Sequence, residues 1–395
     1  MRPKARSSIS RRSFLRLAGA YTAGALVAGC RTAVTPEPPL PTATAAPIPT
    51  TTATLISTVP AAAQPTAAAQ TTALYQVAVA QASSYEPGMV YRQVQAMLDG
   101  LGGLGDIIHS GDKVAIKVNL TGGNNFKPPE GFSATESYVT HPEVVRALGK
   151  LLIDAGAGEL WIVEAVYDQE SYPQWGYQAL AKELNATLVD LNSPEPYADF
   201  ATTPVGEGWY LYETFAFNRI LEEADAFISV AKMKCHWNAG VTLSMKNLIG
   251  LLPVSQYRQS PDHWWRSALH GNGDEARTRL PRIILDLNRA RPIHLALIDG
   301  IKTSEGGEAP RGSFNPVQPG VLVAGKNALA TDAAATAVMG FDPTIAPPTP
   351  PFIRTENYLN MARELGVGSN LLREIAVVGT PIEKVRYPFK PSWEQ

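Results

Sequence analysis

The stretch from Asp225 to Pro253, DAFISVAKMKCHWNAGVTLSMKNLIGLLP, narrows the choice of fold more than any other part of the chain. Ala226 to Ala231 is a short, nearly continuous apolar run rich in β-branched and aromatic residues, which suits a strand buried on both faces. It ends in Lys232-Met233-Lys234-Cys235-His236. Where strand geometry continues, alternation puts Lys232, Lys234 and His236 on one face and Met233 and Cys235 on the other. Three cationic or ionisable groups at the end of a buried strand are costly to hold together unless an anion or a metal meets them. The plainer alternative is a strand that simply stops, with solvated lysines. Against it, Ser244-Met245-Lys246-Asn247 adds a third lysine and an amide just before the apolar turn Leu248 to Leu252, and polar groups wedged between apolar runs face a cleft.

The rest of the chain past Leu74 alternates strand and helix, the pattern of an α/β domain. Strands are expected over Gln76–Ala80, Lys113–Val118, Glu159–Ala165, Thr187–Leu191, His294–Ile298, Val321–Ala324 and Ile375–Val378, with Val385–Phe389 as an edge strand. Helices are expected over Val90–Leu101, Tyr172–Leu184, Leu280–Arg289, Ala328–Met339 and Tyr358–Leu365. A further helix opens at Thr140-His141-Pro142-Glu143, where Thr140 and Glu143 have capping-box spacing. The expected fold is a mainly parallel sheet with helices on both faces, with two lobes on either side of Val205 as a variant of it.

Strand carboxyl ends on one rim of such a sheet bring distant segments together, and open α/β sheets place their ligands there. That logic gathers Lys117, Asn119, Lys232, Lys246 and Asn247 as ligand-binding residues, with His236, Lys234 and His141 as candidate catalytic groups. Glu164, Asp299, Glu305 and Asp332 are candidate acid partners or metal ligands, although Asp332 is most simply an N-terminal acid on its helix. The lysines call for a carboxylate- or phosphate-bearing small molecule, the carboxylates with histidine for a divalent metal, and the sequence leaves both open. The segment with His263-Trp264-Trp265 and His270 reads as a surface excursion that lids the cleft. A net charge of −2 over 395 residues argues against nucleic acid as a partner.

Residues 1–30 read as an address. Ser10-Arg11-Arg12-Ser13-Phe14-Leu15 is a twin-arginine pattern, and Leu26-Val27-Ala28-Gly29-Cys30 resembles a lipoprotein cleavage box in which Cys30 becomes the lipidated N-terminus. The expectation is export by the twin-arginine route and anchoring to a membrane surface, facing the periplasm or the cell exterior. Residues 31–73 are Pro, Thr and Ala with almost no charge, the composition of a disordered stalk, and residues 74–395 make up the α/β domain. With Cys30 assigned to the lipid, Cys235 is left alone, either a core residue or a reactive thiol, and one cysteine cannot build an iron–sulfur cluster.

Taken together, Lys117-Val118-Asn119, Thr140-His141-Pro142, Lys232 to His236, Lys246 to Gly250, Asp299-Gly300 and Ala330-Thr331-Asp332-Ala333 resemble the family called domain of unknown function 362 over about Val77 to Asp342. That family has no established reaction. Many members carry a ferredoxin-like segment, so the resemblance implies redox chemistry. This chain lacks the cluster cysteines and would take electrons from an external donor; it also carries Cys235 where the family has Thr. The resulting expectation is an enzyme acting on an anionic small molecule, with a metal or redox cofactor, set against a binding lipoprotein that captures an anionic solute without chemistry.

Overall fold

A computed structural model describes residues 74–123, 126–272, 274–310 and 313–391. The expected export signal, Cys30 and the stalk lie outside the described residues. Residues from 74 onward belong to one compact unit. In order it holds β1 (Tyr75–Gln81), α1 (Pro87–Gly100), β2 (Lys113–Lys117), α2 (Pro142–Asp154), β3 (Glu159–Glu164), α3 (Ser171–Gln174), α4 (Tyr177–Leu184), β4 (Thr187–Asp190), β5 (Ala201–Pro204), β6 (Thr214–Phe217) and α5 (Ile220–Glu223). It continues with β7 (Ala226–His236), β8 (Gly240–Thr242), α6 (Glu275–Ala290), β9 (Leu295–Glu305), β10 (Asn315–Val317), β11 (Val321–Gly325), α7 (Ala328–Val338), α8 (Tyr358–Glu364), β12 (Ile375–Gly379) and α9 (Ile382–Val385).

One large sheet runs β12-β1-β11-β9-β7-β2-β3-β4, with β10 beside β9 and β8 beside β7. The neighbours β9-β7-β2-β3-β4 are all parallel, whereas β11 is antiparallel to both β1 and β9. Alternation divides the core into two layers. Ala226, Ile228 and Val230 of β7 pack with α1, α2 and α4 on one face, while Phe227, Met233 and Cys235 pack with α6, α7 and α8 on the other. Helices on both faces explain why these strands are apolar throughout.

The two-lobe expectation is corrected: β7, which follows Val205, inserts between β2 and β9, so one sheet spans the proposed boundary. The expected helix Tyr172–Leu184 breaks into α3 and α4 at Gly176, whose φ of 81° is a left-handed conformation that glycine adopts without penalty. Val385–Phe389 is not a strand; it ends α9 and then runs along α7, with Phe389 N–H donating to Met339 O. Thr140 does not cap α2. Its hydroxyl accepts from Asn119 N–H and donates to Val230 O, so His141 takes the cap position, its Nδ1 accepting from Glu143 N–H.

Candidate functional site

At the carboxyl edge of the sheet β7 outruns β2. β2 ends at Lys117, level with Ser229, and β7 continues to His236 before turning back as β8. The turn out of β8 then carries Lys246 and Asn247 back over the ends of β2 and β3 in a 3-10 helix, Lys246–Leu251. Asp332 fixes this return: its carboxylate accepts from Ser244 N–H, Ser244 Oγ–H and Met245 N–H. Burial nevertheless pushes its pKa up to about 7, against the lowering effect of those three donors. Asp332 therefore serves as a structural anchor within α7, whose cap is Asn327, and is not the helix's N-terminal acid.

A cavity of about 480 Å³ opens beneath this return. Its walls include Asn119, Glu164, Lys234, His236, Thr242, Lys246, Asn247, Arg266, His270 and Glu308, together with the apolar and aromatic surfaces of Phe126, Tyr167, Trp237, Ile249, Trp264 and Trp265. The tryptophan-bearing segment does cover the cleft. Arg266 pins it there, donating to Leu252 O at 2.5 Å, Ala165 O at 2.7 Å and Tyr167 Oη at 3.1 Å.

The floor is a closed polar network. Lys117, wholly buried, donates to Val118 O, to Glu164 Oε2 at 3.0 Å and to Asn247 Oδ1 at 3.2 Å. Asn247 Oδ1 also accepts from Asn119 Nδ2, and its own amide donates to Lys117 O and Ser229 Oγ. Gly250 seats the 3-10 helix on this floor: a Cβ there would lie 2.0 Å from Glu164 Oε1 and 2.6 Å from Lys117 Nζ. Lys117 is thus corrected from ligand contact to support, because its acceptors saturate it one layer below the cavity.

The remaining cations are differently placed. Lys234 Nζ donates only to the carbonyls of Tyr138 at 2.8 Å and Glu308 at 3.0 Å, and burial lowers its pKa well below the ordinary lysine value. Lys246 Nζ makes no hydrogen bond or ion pair with the described residues, and burial lowers its pKa to about 8, with Glu308 opposing and Lys117 and Arg266 assisting. His236 Nε2 lies 2.5 Å from Glu308 Oε2, while its Nδ1 accepts from Asn238 N–H. Burial lowers the His236 pKa to about 4 despite that carboxylate. Burial acts to raise Glu308, but His236, Lys246 and His270 outweigh it and hold the carboxyl well below its usual range. Its side chain is 42% exposed, although Oε2, the oxygen that meets His236, is buried. Both nitrogens of His236 are engaged, which corrects the expectation of a free general base there. Besides Glu308 Oε2, which meets His236, two buried oxygens on the wall, Asn119 Oδ1 and Thr242 Oγ1, have no hydrogen-bond partner among the described residues.

Three expected site residues form a separate knot. Lys232 Nζ donates to Asp299 Oδ2 at 2.7 Å, Thr135 O, Lys302 O and Tyr85 Oη. Tyr85 Oη–H donates to Asp299 Oδ1, His141 N–H donates to Asp299 Oδ2, and the His141 ring stacks on Tyr85 at 3.6 Å. Lys232 and Asp299 are wholly buried, and with His141 they hold the α2 N-terminus to β9 away from the cavity. Lys232 and Lys117 part company because they project from opposite faces of the sheet. Glu305 is elsewhere again, accepting from Asn315 Nδ2 and Lys390 N–H. The four candidate acids are each held by protein donors in different places, and no group of three or more His, Cys, Asp or Glu among the described residues is arranged to hold a metal. Cys235 packs in the core, its thiol donating to Lys390 O, and burial raises its pKa far above the ordinary range. It is an inert core residue.

Glu308, Arg266 and Thr242 were missed as site residues from the sequence. Glu308 follows Gly306-Gly307, a pair that permits close backbone approach, and that was its only local signal.

The order and spacing of these wall and floor segments match the profile described as Domain of unknown function (DUF362), over residues 114–337. The chain belongs to the DUF362 family. It is 27% identical to the thylakoid-associated protein sll1697 of Synechocystis sp. (strain ATCC 27184 / PCC 6803 / Kazusa) over 277 residues, which is 69% of this chain and 76% of the relative. Among solved structures, it is similar to the lactate racemase apoprotein from Thermoanaerobacterium thermosaccharolyticum, at 15% identity and a TM-score of 0.38, covering 68% of this chain and 58% of that one. A protein from Thermotoga maritima matches at 12% identity and a TM-score of 0.34, over 65% and 60% of the two chains. This chain spans less than two thirds of either solved structure. The DUF362 cavity is therefore read from its own residues.

Proposed function

We propose that this DUF362 protein is an enzyme whose cavity binds a small organic anion with a flat, apolar portion. The observation that carries this reading is the imbalance of hydrogen-bond partners on the wall: among the described residues, Lys234 and Arg266 have only neutral acceptors and Lys246 has none. Buried cations without counter-ions are costly, and a carboxylate or phosphate group on a ligand would relieve that cost. The tryptophan-lined side suits the ligand's apolar part. A lowered-pKa lysine and an ionised Glu308 paired with neutral His236 in the same cavity favour chemistry over simple capture. Nothing in this reading routes a step through a metal.

The test is thermal and chemical denaturation of the protein with benzoate, phenylphosphate or neutral benzyl alcohol. Either anion at a hundred times its Kd is expected to add about 2.7 kcal/mol of stability, and the alcohol to add none. Equal effects of the alcohol and the anions would overturn the reading.

We further propose that the protein is exported by the twin-arginine route and held on a membrane surface through lipidated Cys30. The sequence of residues 1–30 supports this. The name of its thylakoid-associated relative is in keeping with a membrane location. No helix among the described residues is long and apolar enough to cross a membrane. Cys30→Ser is expected to move the protein from the membrane to the soluble fraction, and wild-type protein found already soluble would contradict the anchor.

A further inference from the structure

We infer that Lys246 is a covalent catalytic residue whose Nζ condenses with the carbonyl group of an anionic aldehyde or ketone held in the cavity, forming an imine. The inference rests on the anion-binding reading above and adds the class of substrate and the bond that forms.

The argument begins with a division of labour among the cations. Arg266 is fixed in place by carbonyl oxygens, so it can present a stationary positive field to a carboxylate or phosphate, and Lys234 is tied down by two further carbonyls. Lys246 Nζ is bound by nothing among the described residues, lines the same cavity, and its residue is 9% exposed. A lysine that served only as a fixed charge would be expected to have acceptors like its neighbours. An unbound, desolvated amine beside other cations is the arrangement that activates lysine as a nucleophile. With a pKa near 8 instead of the ordinary lysine value, its neutral fraction at pH 7.5 is on the order of a hundred-fold larger.

The wall also supplies what the condensation needs. Attack of the neutral Nζ on the carbonyl carbon gives a carbinolamine, whose new hydroxyl requires a hydrogen-bond partner. Thr242 Oγ1 and Asn119 Oδ1 are buried on that wall with none. One proton passes from the nitrogen to the new oxygen as the carbinolamine forms, and a second moves through water from the nitrogen to the departing hydroxyl as the C–O bond breaks. The carbonyl oxygen and two hydrogens from the amine leave as one water, so the step needs no oxidant or reductant.

The experiment treats the full-length protein with pyruvate or phenylpyruvate and sodium cyanoborohydride, which reduces an imine to a stable secondary amine, and maps the adduct by peptide mass spectrometry. Binding is followed in parallel through the fluorescence of the cavity tryptophans. The expected result is one dominant adduct on Lys246, at least ~10-fold above any other lysine, because Lys234 Nζ is tied to two carbonyls and Lys246 Nζ is not, and no adduct in Lys246→Arg. Binding without an adduct, or labelling that favours another lysine, overturns the imine and leaves the anion-binding reading intact. Failure of pyruvate and phenylpyruvate alike to bind or label also overturns it; if benzoate and phenylphosphate fail too, the anion-binding reading falls with it.

Discussion

Gly250 shows how closely the cavity floor is fitted. Lys117 and Glu164 form an ion pair of 3.0 Å with side chains 0% and 5% exposed, and the 3-10 helix crosses them with no room for a methyl group. Gly250→Ala must push the carboxylate off Lys117 or lift the helix. Overpacking of this kind costs about 1–3 kcal/mol, more if the buried pair separates. The expected outcome in urea denaturation is a loss in that range, with weakened benzoate binding because Lys246 and Asn247 move with the helix. Gly105→Ala, where an added Cβ meets nothing within 4 Å, is the control and should change stability by less than about 0.5 kcal/mol. Equal stability of the two variants would show that the floor yields easily.

Among the elements, strands and helices were legible where periodicity was strong. The apolar run of β7 announced a doubly covered strand, and the alternation in Lys232 to His236 was correct to the residue. What that alternation could not convey is that a shared face is not a shared site. Lys232 sits opposite Asp299, whereas Lys234 sits opposite Ser304, because β9 carries an irregularity between them. Two residues along β7 therefore separate a saturated knot from an open cavity wall. Capping was misread for a related reason. Thr140 has the right chemistry for a cap, but two strands compete for its hydroxyl, and only the tertiary structure reveals that competition. Asp332 reads from sequence as an N-terminal acid, but Asn327 caps the helix and Asp332 reaches across to the return turn. Glu308 and Arg266 lay in irregular segments without periodicity, so nothing local placed them beside Lys246.

At the scale of the whole molecule, the same burial that builds the two polar clusters makes the fold sensitive to acid. Burial lowers the pKa of both His141 and His236 to about 4, and lowers His270 and His294 as well. An unfolded histidine titrates near 6.5, so between about pH 6.5 and 4 the unfolded chain binds more protons than the folded one, and stability falls as pH falls through that window. Asp332 works the other way: raised to about 7, it takes its proton earlier in the folded state and returns some stability below that pH. Several histidines against this acid leave acid destabilisation as the net expectation. His141 is the cleanest place to test it, since it lies outside the cavity. Asp299 and Glu136 favour its charged form, Lys232 and Arg146 oppose it, and burial outweighs them all. His141→Asn keeps an N-cap acceptor for Glu143 N–H and removes the titration, at the cost of the stack on Tyr85. Urea denaturation at pH 7 and pH 5 should show the wild type losing more stability between the two than His141→Asn loses, even though the variant starts lower. Equal losses in the two proteins would mean that His141 is not held neutral in the fold, and that its packing against Tyr85 tolerates the charge.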